Sequence, residues 1–121
     1  MGQPVVHFEI AGKDAKKLQQ FYAALFDWRI DANNPMNYGT VETGGEGGIN
    51  GGIFEAQGDV PAYLTIYAQV DDLQAYLDKA VSLGAATVVP PTPIPGMGGF
   101  ALFTDPEGNL MGIFRDDSAE T

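Results

Sequence analysis

The chain contains no cysteine among its 121 residues. Without thiols it cannot form disulfides, thiolate metal sites or a cysteine nucleophile. Positive charge is also scarce, because six lysines and arginines stand against 16 acidic residues and give a net charge of -10. Nucleic acid and anionic membrane surfaces need basic patches, so neither is an expected partner, and a strongly anionic substrate is disfavoured. The acidic excess otherwise favours solubility.

Long apolar runs are missing as well, since no stretch approaches the roughly 18–20 residues of a membrane span. The opening "MGQPVVHFEI" lacks the charged and then apolar layout of a signal peptide, and we therefore expect a cytoplasmic protein. Apolar residues make up 45% of the chain, which is typical of a globular fold. Its length predicts one domain, residues 1–121, with a core of its own.

The first half of the chain predicts one strand, one helix and three further strands. "VVHFEI" is rich in β-branched and aromatic residues, and Asp14 is a candidate N-cap for a helix whose apolar residues recur at helical spacing. The segments "WRIDA", "YGTVETG" and "INGGIFEA" have strand composition, and they are separated by a polar turn at 33–37 and a glycine turn at 44–48.

The second half predicts the same order of elements. "YLTIYAQV" has strand composition, Asp71 and Asp72 offer a helix cap, and Gly84 is well placed at the C′ position after the helix. "ATVVP", "GFALFTD" and "LMGIFR" predict three strands, with a turn at 105–109. "VPPTPIPGMGG" at 89–99 is either a stiff rim beside a pocket or an ordinary connection.

The two halves therefore predict an internal duplication. "GIF" occurs twice, with Gly52 and Gly112 at the same place in the two last strands. We predict an α+β fold of two βαβββ modules, at about 4–57 and 62–115, paired into a curved mixed sheet around a cavity. Strand alternation places Phe8, Ile10, Leu64 and Ile66 against helices, and turns His7, Glu9, Thr65 and Tyr67 to the other face. A concave and largely apolar cavity is the usual form of a ligand site.

The chain resembles the vicinal oxygen chelate superfamily, which includes glyoxalase I, the bleomycin resistance proteins and the extradiol dioxygenases. The resemblance rests on "VVHFEI…FYAALFDW", on "VDDLQAYLDKAVSLGA" and, most specifically, on "DPEGN" before the last strand. It is greatest to small glyoxalase-like proteins related to lactoylglutathione lyase. The resemblance implies paired βαβββ modules around a cavity and a homodimer, and unpaired sheet edges also favour association.

In metal-dependent members, the first and last strands of each module supply the ligands of a divalent ion. Those positions fall on His7, Gly52, Thr65 and Gly112 in this sequence, and the placement of Gly52 is uncertain by one residue. Glycine has no side-chain ligand, and one imidazole is fewer than the three protein ligands of typical catalytic zinc sites. We therefore expect no metal and no other cofactor, and disfavour a metal-dependent lyase or dioxygenase.

The candidate catalytic residues are His7 and Glu9. His7 is either a pocket group titrating near neutrality or a strand histidine bonded to a backbone carbonyl. A carboxylate in an apolar cavity suits acid or base chemistry, whereas at the cavity rim Glu9 would merely be solvated. The candidate ligand-binding residues are Phe54, Thr65, Tyr67 and Phe114, with Tyr63 as a further aromatic candidate, and the Tyr67 hydroxyl could meet Glu9 across the modules.

Two functions fit these residues. One is an enzyme with a metal-free pocket for a small, largely apolar or aromatic molecule, using His7 and Glu9 for proton transfer of the isomerase or lyase type. The other is a binding protein that sequesters a drug or metabolite. Lactoylglutathione lyase activity itself is disfavoured, because few cationic side chains are available to hold the carboxylates of glutathione.

Overall fold

The computed structural model describes residues 2–34 and 38–117. Two compact units are defined by their internal contacts. The N-terminal unit is Val6–Thr65, and the C-terminal unit runs from Ile66 onward and includes the residues before Val6. No helix in the described part of the chain is both long and apolar enough to cross a membrane.

The N-terminal unit has a βαβββ order. Its elements are β1 (Val5–Gly12), α1 (Ala15–Phe26), β2 (Arg29–Asp31), β3 (Gly39–Glu42) and β4 (Asn50–Glu55). The strand order in this unit is β2-β3-β4-β1. Strands β1 and β4 pair in parallel, and the other pairs are antiparallel.

The C-terminal unit repeats that order. Its elements are β5 (Tyr63–Gln69), α2 (Leu73–Ser82), β6 (Ala86–Ile94), β7 (Gly98–Thr104) and β8 (Leu110–Asp116). The first residues of β5, up to Thr65, are counted in the N-terminal unit. The strand order is β5-β8-β7-β6, with β5 and β8 parallel. The predicted α+β class and the repeated βαβββ order are confirmed. The module bounds of 4–57 and 62–115 and the cavity between modules stay predictions.

Both helices begin at the predicted aspartates. The Asp14 carboxylate accepts a hydrogen bond from the backbone N–H of Lys17 at 3.1 Å, and Asp72 accepts one from Ala75 at 3.0 Å. These side chains satisfy backbone donors that the first helical turn leaves unpaired. Helix α2 ends at Ser82 with Leu83 as its C-cap, and Gly84 follows at φ 110°, a conformation that favours glycine. The predicted C′ glycine is confirmed.

Each unit has its own apolar core. Ile10, Val41 and Ile53 are buried in the N-terminal unit. The partly buried side chains packed against them are Phe8, Leu18, Tyr22, Trp28 and Ile30. Val70, Leu73, Ala101 and Ile113 form the core of the C-terminal unit, with Tyr76 and Phe103 against them. The predicted inward direction of Ile10 is confirmed.

The prediction that Leu64 and Ile66 pack on a helix is wrong. Leu64 is 64% exposed and Ile66 is 38% exposed. Within the C-terminal unit, α2 lies over β6, β7 and β8, and Val70 at the end of β5 is the residue that joins the core. Strand alternation places Ile66 on the same face as Val70, but it does not show whether the ten-residue helix covers that position.

The proline-rich segment is part of a strand. Strand β6 continues through the prolines of the predicted rim to Ile94, and its pairing with β7 shifts register between Thr87 and Thr92. Because β6 is the edge strand of its unit, a missing proline N–H leaves no partner unpaired on its outer side. The segment is therefore an irregular edge strand. The predicted polar turn at 33–37 falls partly outside the described residues, which resume at residue 38.

Candidate functional site

The candidate site is built on the two parallel strands of the N-terminal unit. Strand β1 carries His7 and Glu9 two positions apart, so both lie on the face opposite Ile10. In the register between β1 and β4, Glu9 is paired with Gly52, and His7 with Asn50. Gly52, the position that corresponds to a metal ligand in the family, therefore lies beside Glu9 rather than directly beside His7.

The Glu9 carboxylate is the centre of the site. Glu9 is 8% exposed, so it is not the solvated rim residue that the sequence left as an alternative. The Tyr63 hydroxyl donates to Oε1 at 2.8 Å, and the Tyr38 hydroxyl donates to Oε2 at 3.2 Å. Hydrogen bonds to a charged acceptor are stronger than neutral ones, and they offset part of the cost of burying the carboxylate.

Both tyrosines are held in the protonated form. Burial raises the pKa of the Tyr38 hydroxyl, and the charge of Glu9 and its hydrogen bond raise it further. The same three causes, in the same order, raise the pKa of the Tyr63 hydroxyl. Both groups therefore remain hydrogen-bond donors throughout the physiological pH range.

His7 is connected to Glu9 through Tyr38. The Nε2 atom of His7 lies 3.0 Å from the Tyr38 hydroxyl oxygen. When the Tyr38 proton is donated to Glu9, the hydroxyl oxygen can accept a hydrogen bond from the Nε2–H tautomer of neutral His7. Burial lowers the pKa of His7, and the negative charge of Glu9 opposes this effect.

Tyr38 is fixed at both ends. The Asn34 side chain donates to the Tyr38 carbonyl at 2.6 Å and accepts from the Tyr38 backbone N–H at 3.0 Å. At the other end, the Tyr38 ring lies 5.5 Å from the ring of Phe54, which is 6.2 Å from the ring of Tyr63. Phe54 therefore separates the two phenols that donate to Glu9.

Gly52 provides the space for the Tyr38 ring. A Cβ atom built at position 52 would overlap both the ring and the hydroxyl oxygen of Tyr38. In the C-terminal unit, a Cβ atom at Gly112 would overlap the ring of Tyr67, its partner in the β5 and β8 register. In both units, a tyrosine ring thus occupies the space beside the glycine of the last strand.

The residues present do not fit the divalent ion of the metal-dependent members. Of the four carried-over positions, Gly52 and Gly112 supply no donor atom, and tyrosine rings fill the adjoining space. Within residues 2–34 and 38–117, no group of three or more His, Cys, Asp or Glu side chains is arranged to hold a metal ion. That the protein binds no metal stays a prediction.

The structure groups some of the predicted site residues and not others. His7, Glu9 and Phe54 belong to one cluster with Tyr38 and Tyr63. Thr65 is buried at 3% exposure at the end of the N-terminal unit. Tyr67, which is buried, and Phe114 belong to the C-terminal unit. Ligand-binding roles for Thr65, Tyr67 and Phe114 stay predictions, as does the meeting of Tyr67 with Glu9.

Sequence reasoning missed Tyr38, which it treated as the start of a strand. A signal was present, because a glycine inside a strand often marks the close approach of another group. Gly52 is paired with Thr40 across β3 and β4, and Tyr38 lies two residues before Thr40 on the same face. Once this register is known, the alternation rule places the Tyr38 side chain near Gly52.

An apolar groove of about 480 Å³ lies on the opposite face of the N-terminal unit. Its lining includes Phe8, Tyr22, Trp28 and Leu64. Neither a carboxylate nor an imidazole is among the lining residues, so the groove lacks groups that exchange protons near neutral pH. The acid–base groups of this unit and its groove are therefore on different faces.

The sequence profile of the Glyoxalase/Bleomycin resistance protein/Dioxygenase superfamily matches residues 5–113. The chain belongs to this superfamily. Among curated proteins, it is 23% identical to the anthracycline biosynthesis protein DnrV of Streptomyces peucetius over 124 aligned positions, covering 89% of this chain and 45% of DnrV. The chain spans less than half the length of the curated relatives it matches.

Solved structures show the same fold at low identity. Methylmalonyl-CoA epimerase from Mycobacterium tuberculosis matches with a TM-score of 0.64 and 13% identity, over 93% of this chain and 87% of that one. The Mn(II)-bound glyoxalase from Novosphingobium aromaticivorans matches with a TM-score of 0.64 and 16% identity, over 94% of this chain and 39% of that one. The same fold thus occurs in a metal-bound glyoxalase and in an epimerase.

Proposed function

We propose that this protein binds a small, largely apolar or aromatic molecule at Glu9 without a metal, and moves a proton on it in a reaction of the isomerase or lyase type. The observation that carries the proposal is the connection of a buried carboxylate to the chain's single imidazole through one hydroxyl. Glu9 and His7 are the groups that would take and return the proton.

The two residues have complementary properties for this chemistry. A buried carboxylate can accept a proton from a bound molecule, since it is close to the reacting atoms and screened from water. His7 has its pKa lowered by burial, so it is largely neutral near pH 7 and can exchange a proton there. The protonated Tyr38 and Tyr63 hydroxyls hold the Glu9 carboxylate in place, with one hydrogen bond to each of its oxygens.

Composition and fold support the same class of reaction. Few cations are present to hold a polyanionic substrate such as glutathione, and Gly52 and Gly112 leave no carboxylate for the family metal ion. A proton transfer that uses only side chains needs neither a cationic pocket nor a metal ion, and it is therefore compatible with these residues. The name of one structural neighbour, methylmalonyl-CoA epimerase, shows that the fold hosts an epimerase, which is compatible with the proposal.

A non-catalytic binding protein is the second candidate function. The observation that favours it is that both Glu9 oxygens already accept a hydrogen bond from a tyrosine. A carboxylate satisfied in this way can serve as a fixed acceptor that never takes up a proton. Such a protein would sequester a drug or metabolite and release it unchanged.

Hydrogen–deuterium exchange at carbon separates the two candidates. Small molecules retained by the protein from its expression host are identified by native mass spectrometry, released, and incubated in D₂O with fresh protein. We expect wild type to place deuterium on a carbon of the molecule, and Glu9→Gln to lose this exchange. Glu42→Gln is the matched control, because Glu42 is an exposed carboxylate of the same unit.

The possible results have distinct meanings. A molecule that is retained but never labelled by wild type supports the binding protein and rules out the enzyme. Carbon exchange by Glu9→Gln at the wild-type rate would contradict the enzyme as stated, because the proton would then be moved without the Glu9 carboxylate. Cytoplasmic location is a further part of the proposal, supported by the sequence expectations alone.

A further inference from the structure

We propose that Tyr38 is a positioning residue that couples His7 to Glu9, and that Gly52 is the position that admits its ring. The proposal rests on the proposed function only for its catalytic meaning. The coupling itself is a property of the free protein and can be tested without a ligand.

The first support is the direction of the two hydrogen bonds. The Tyr38 hydroxyl donates to Glu9 Oε2 at 3.2 Å, and its oxygen lies 3.0 Å from His7 Nε2, where it can accept from the Nε2–H tautomer. A single hydroxyl proton cannot serve both partners as donor at once. The orientation of this proton therefore depends on the protonation of both His7 and Glu9, and the three groups respond together.

This arrangement allows a balanced proton shift. When His7 is the imidazolium, its Nε2 proton can pass to the Tyr38 oxygen while the Tyr38 proton passes to Glu9 Oε2. His7 then becomes neutral with its proton on Nδ1, Glu9 becomes a carboxylic acid, and Tyr38 keeps one proton. No oxidant or further reactant is required. A proton gained by His7 therefore becomes available at Glu9.

The second support is the match between Tyr38 and Gly52. A side chain at position 52 would occupy the same space as the Tyr38 ring and hydroxyl. The Asn34 side chain holds the Tyr38 backbone through two hydrogen bonds, so the ring cannot easily move aside by shifting its own main chain. Gly52 is thus required sterically for the Tyr38 hydroxyl to lie between His7 and Glu9. It is also a position at which the metal-dependent members carry a ligand.

The third support is the contrast with Tyr63, the other tyrosine whose hydroxyl donates to Glu9. Tyr63 reaches Oε1 of the same carboxylate at 2.8 Å, and its ring contacts Phe54. Its hydroxyl bonds the oxygen atom of Glu9 that Tyr38 does not use. Tyr63 therefore provides a matched control, since it donates to the same carboxylate through the other oxygen.

The test uses His7 as a reporter, because it is the only histidine in the chain and its ring signals need no assignment by mutation. Ring ¹⁵N and ¹³C chemical shifts are recorded against pH for wild type, Tyr38→Phe and Tyr63→Phe. In wild type we expect the proton of neutral His7 on Nε2. In Tyr38→Phe we expect that preference to be lost, because the oxygen that selects the Nε2 proton is gone.

Tyr63→Phe should leave the proton of neutral His7 on Nε2. A second variant keeps the test independent of the folding of Tyr38→Phe. Gly52→Ala should reproduce the His7 spectrum of Tyr38→Phe, and the double variant should add nothing further. Gly45→Ala is its control, because a Cβ atom at Gly45 meets nothing within 4 Å.

An Nε2 proton preference unchanged in both Tyr38→Phe and Gly52→Ala would overturn the coupling. An equal response to Tyr63→Phe would also overturn it, because the effect would then belong to Glu9 in general. The proposed function fails separately, through the absence of carbon-bound deuterium on the retained molecule. The coupling through Tyr38 and the proposed function can therefore fail independently, and each failure is seen in its own experiment.

Discussion

Removing the charge of Glu9 should lower the pKa of His7. The two hydrogen bonds through Tyr38, 3.0 and 3.2 Å long, hold His7 Nε2 and Glu9 Oε2 within about 6 Å of each other. At that separation and an effective dielectric constant of about 20–40, the attraction between imidazolium and carboxylate is roughly 1–3 kcal/mol. Since His7 is partly exposed, the lower half of this range applies, which is about one pKa unit.

The assay is the NMR titration of His7 in wild type and Glu9→Gln. Glutamine keeps the shape of the side chain and can still accept one tyrosine hydrogen bond, so the change reports mainly the lost charge. Glu42→Gln removes an exposed carboxylate of the same unit, 3.8 Å from Arg29, and should move the His7 pKa by less than about 0.2 unit because solvent screens it.

An unchanged or raised His7 pKa in Glu9→Gln would refute this reasoning, because it would mean that Glu9 carries no charge near His7.

The unfolding free energy of the same variant gives a second test. Loss of the charge weakens two tyrosine hydrogen bonds but also removes the cost of burying a carboxylate, so we expect a change within about 1 kcal/mol of unfolding free energy.

Three further predictions concern the whole chain. Elemental analysis of the purified, untagged protein should find well under one zinc, nickel, iron or manganese per chain, and a stoichiometric metal would contradict the argument from Gly52 and Gly112. Light scattering at micromolar concentration should give a dimer, with burial of exposed α1 residues such as Phe21 and Leu25 as its physical reason, and a 12.9 kDa particle would contradict it. Because burial lowers the pKa of His7 in the folded state, the stability it confers is present above the unfolded pKa of about 6.5 and is lost as pH falls below it. The melting-temperature difference between wild type and His7→Gln should therefore shift against wild type from pH 8 to pH 5, and a constant difference would contradict the lowered pKa.

The α+β class and the repeated βαβββ order could be predicted because they depend on local signals. Asp14, Asp72 and Gly84 mark helix ends through hydrogen bonds and backbone angles that involve only a few neighbouring residues. Strand alternation likewise fixes which side chains share a face. His7 and Glu9 could be placed together for this reason.

What covers a face is decided by contacts between distant elements. The alternation rule gave Leu64 and Ile66 the same face as the core residue Val70, but both are exposed. Tyr38 was missed for a related reason, since its role depends on the pairing of β3 with β4. That register is set by the turn at 44–48 and the packing of Val41, which residue spacing alone does not reveal.

The fit of Tyr38 over Gly52 also has an evolutionary consequence. A route from this chain to a metal-binding relative needs a carboxylate at position 52, but that change alone would collide with the Tyr38 ring. Replacing Tyr38 first would remove one of the two phenol donors to Glu9 before any ligand is gained. The two substitutions are therefore epistatic, because each is costly until the other is present. Descendants of this chain should keep or exchange the pair together, with few sequences carrying one change alone.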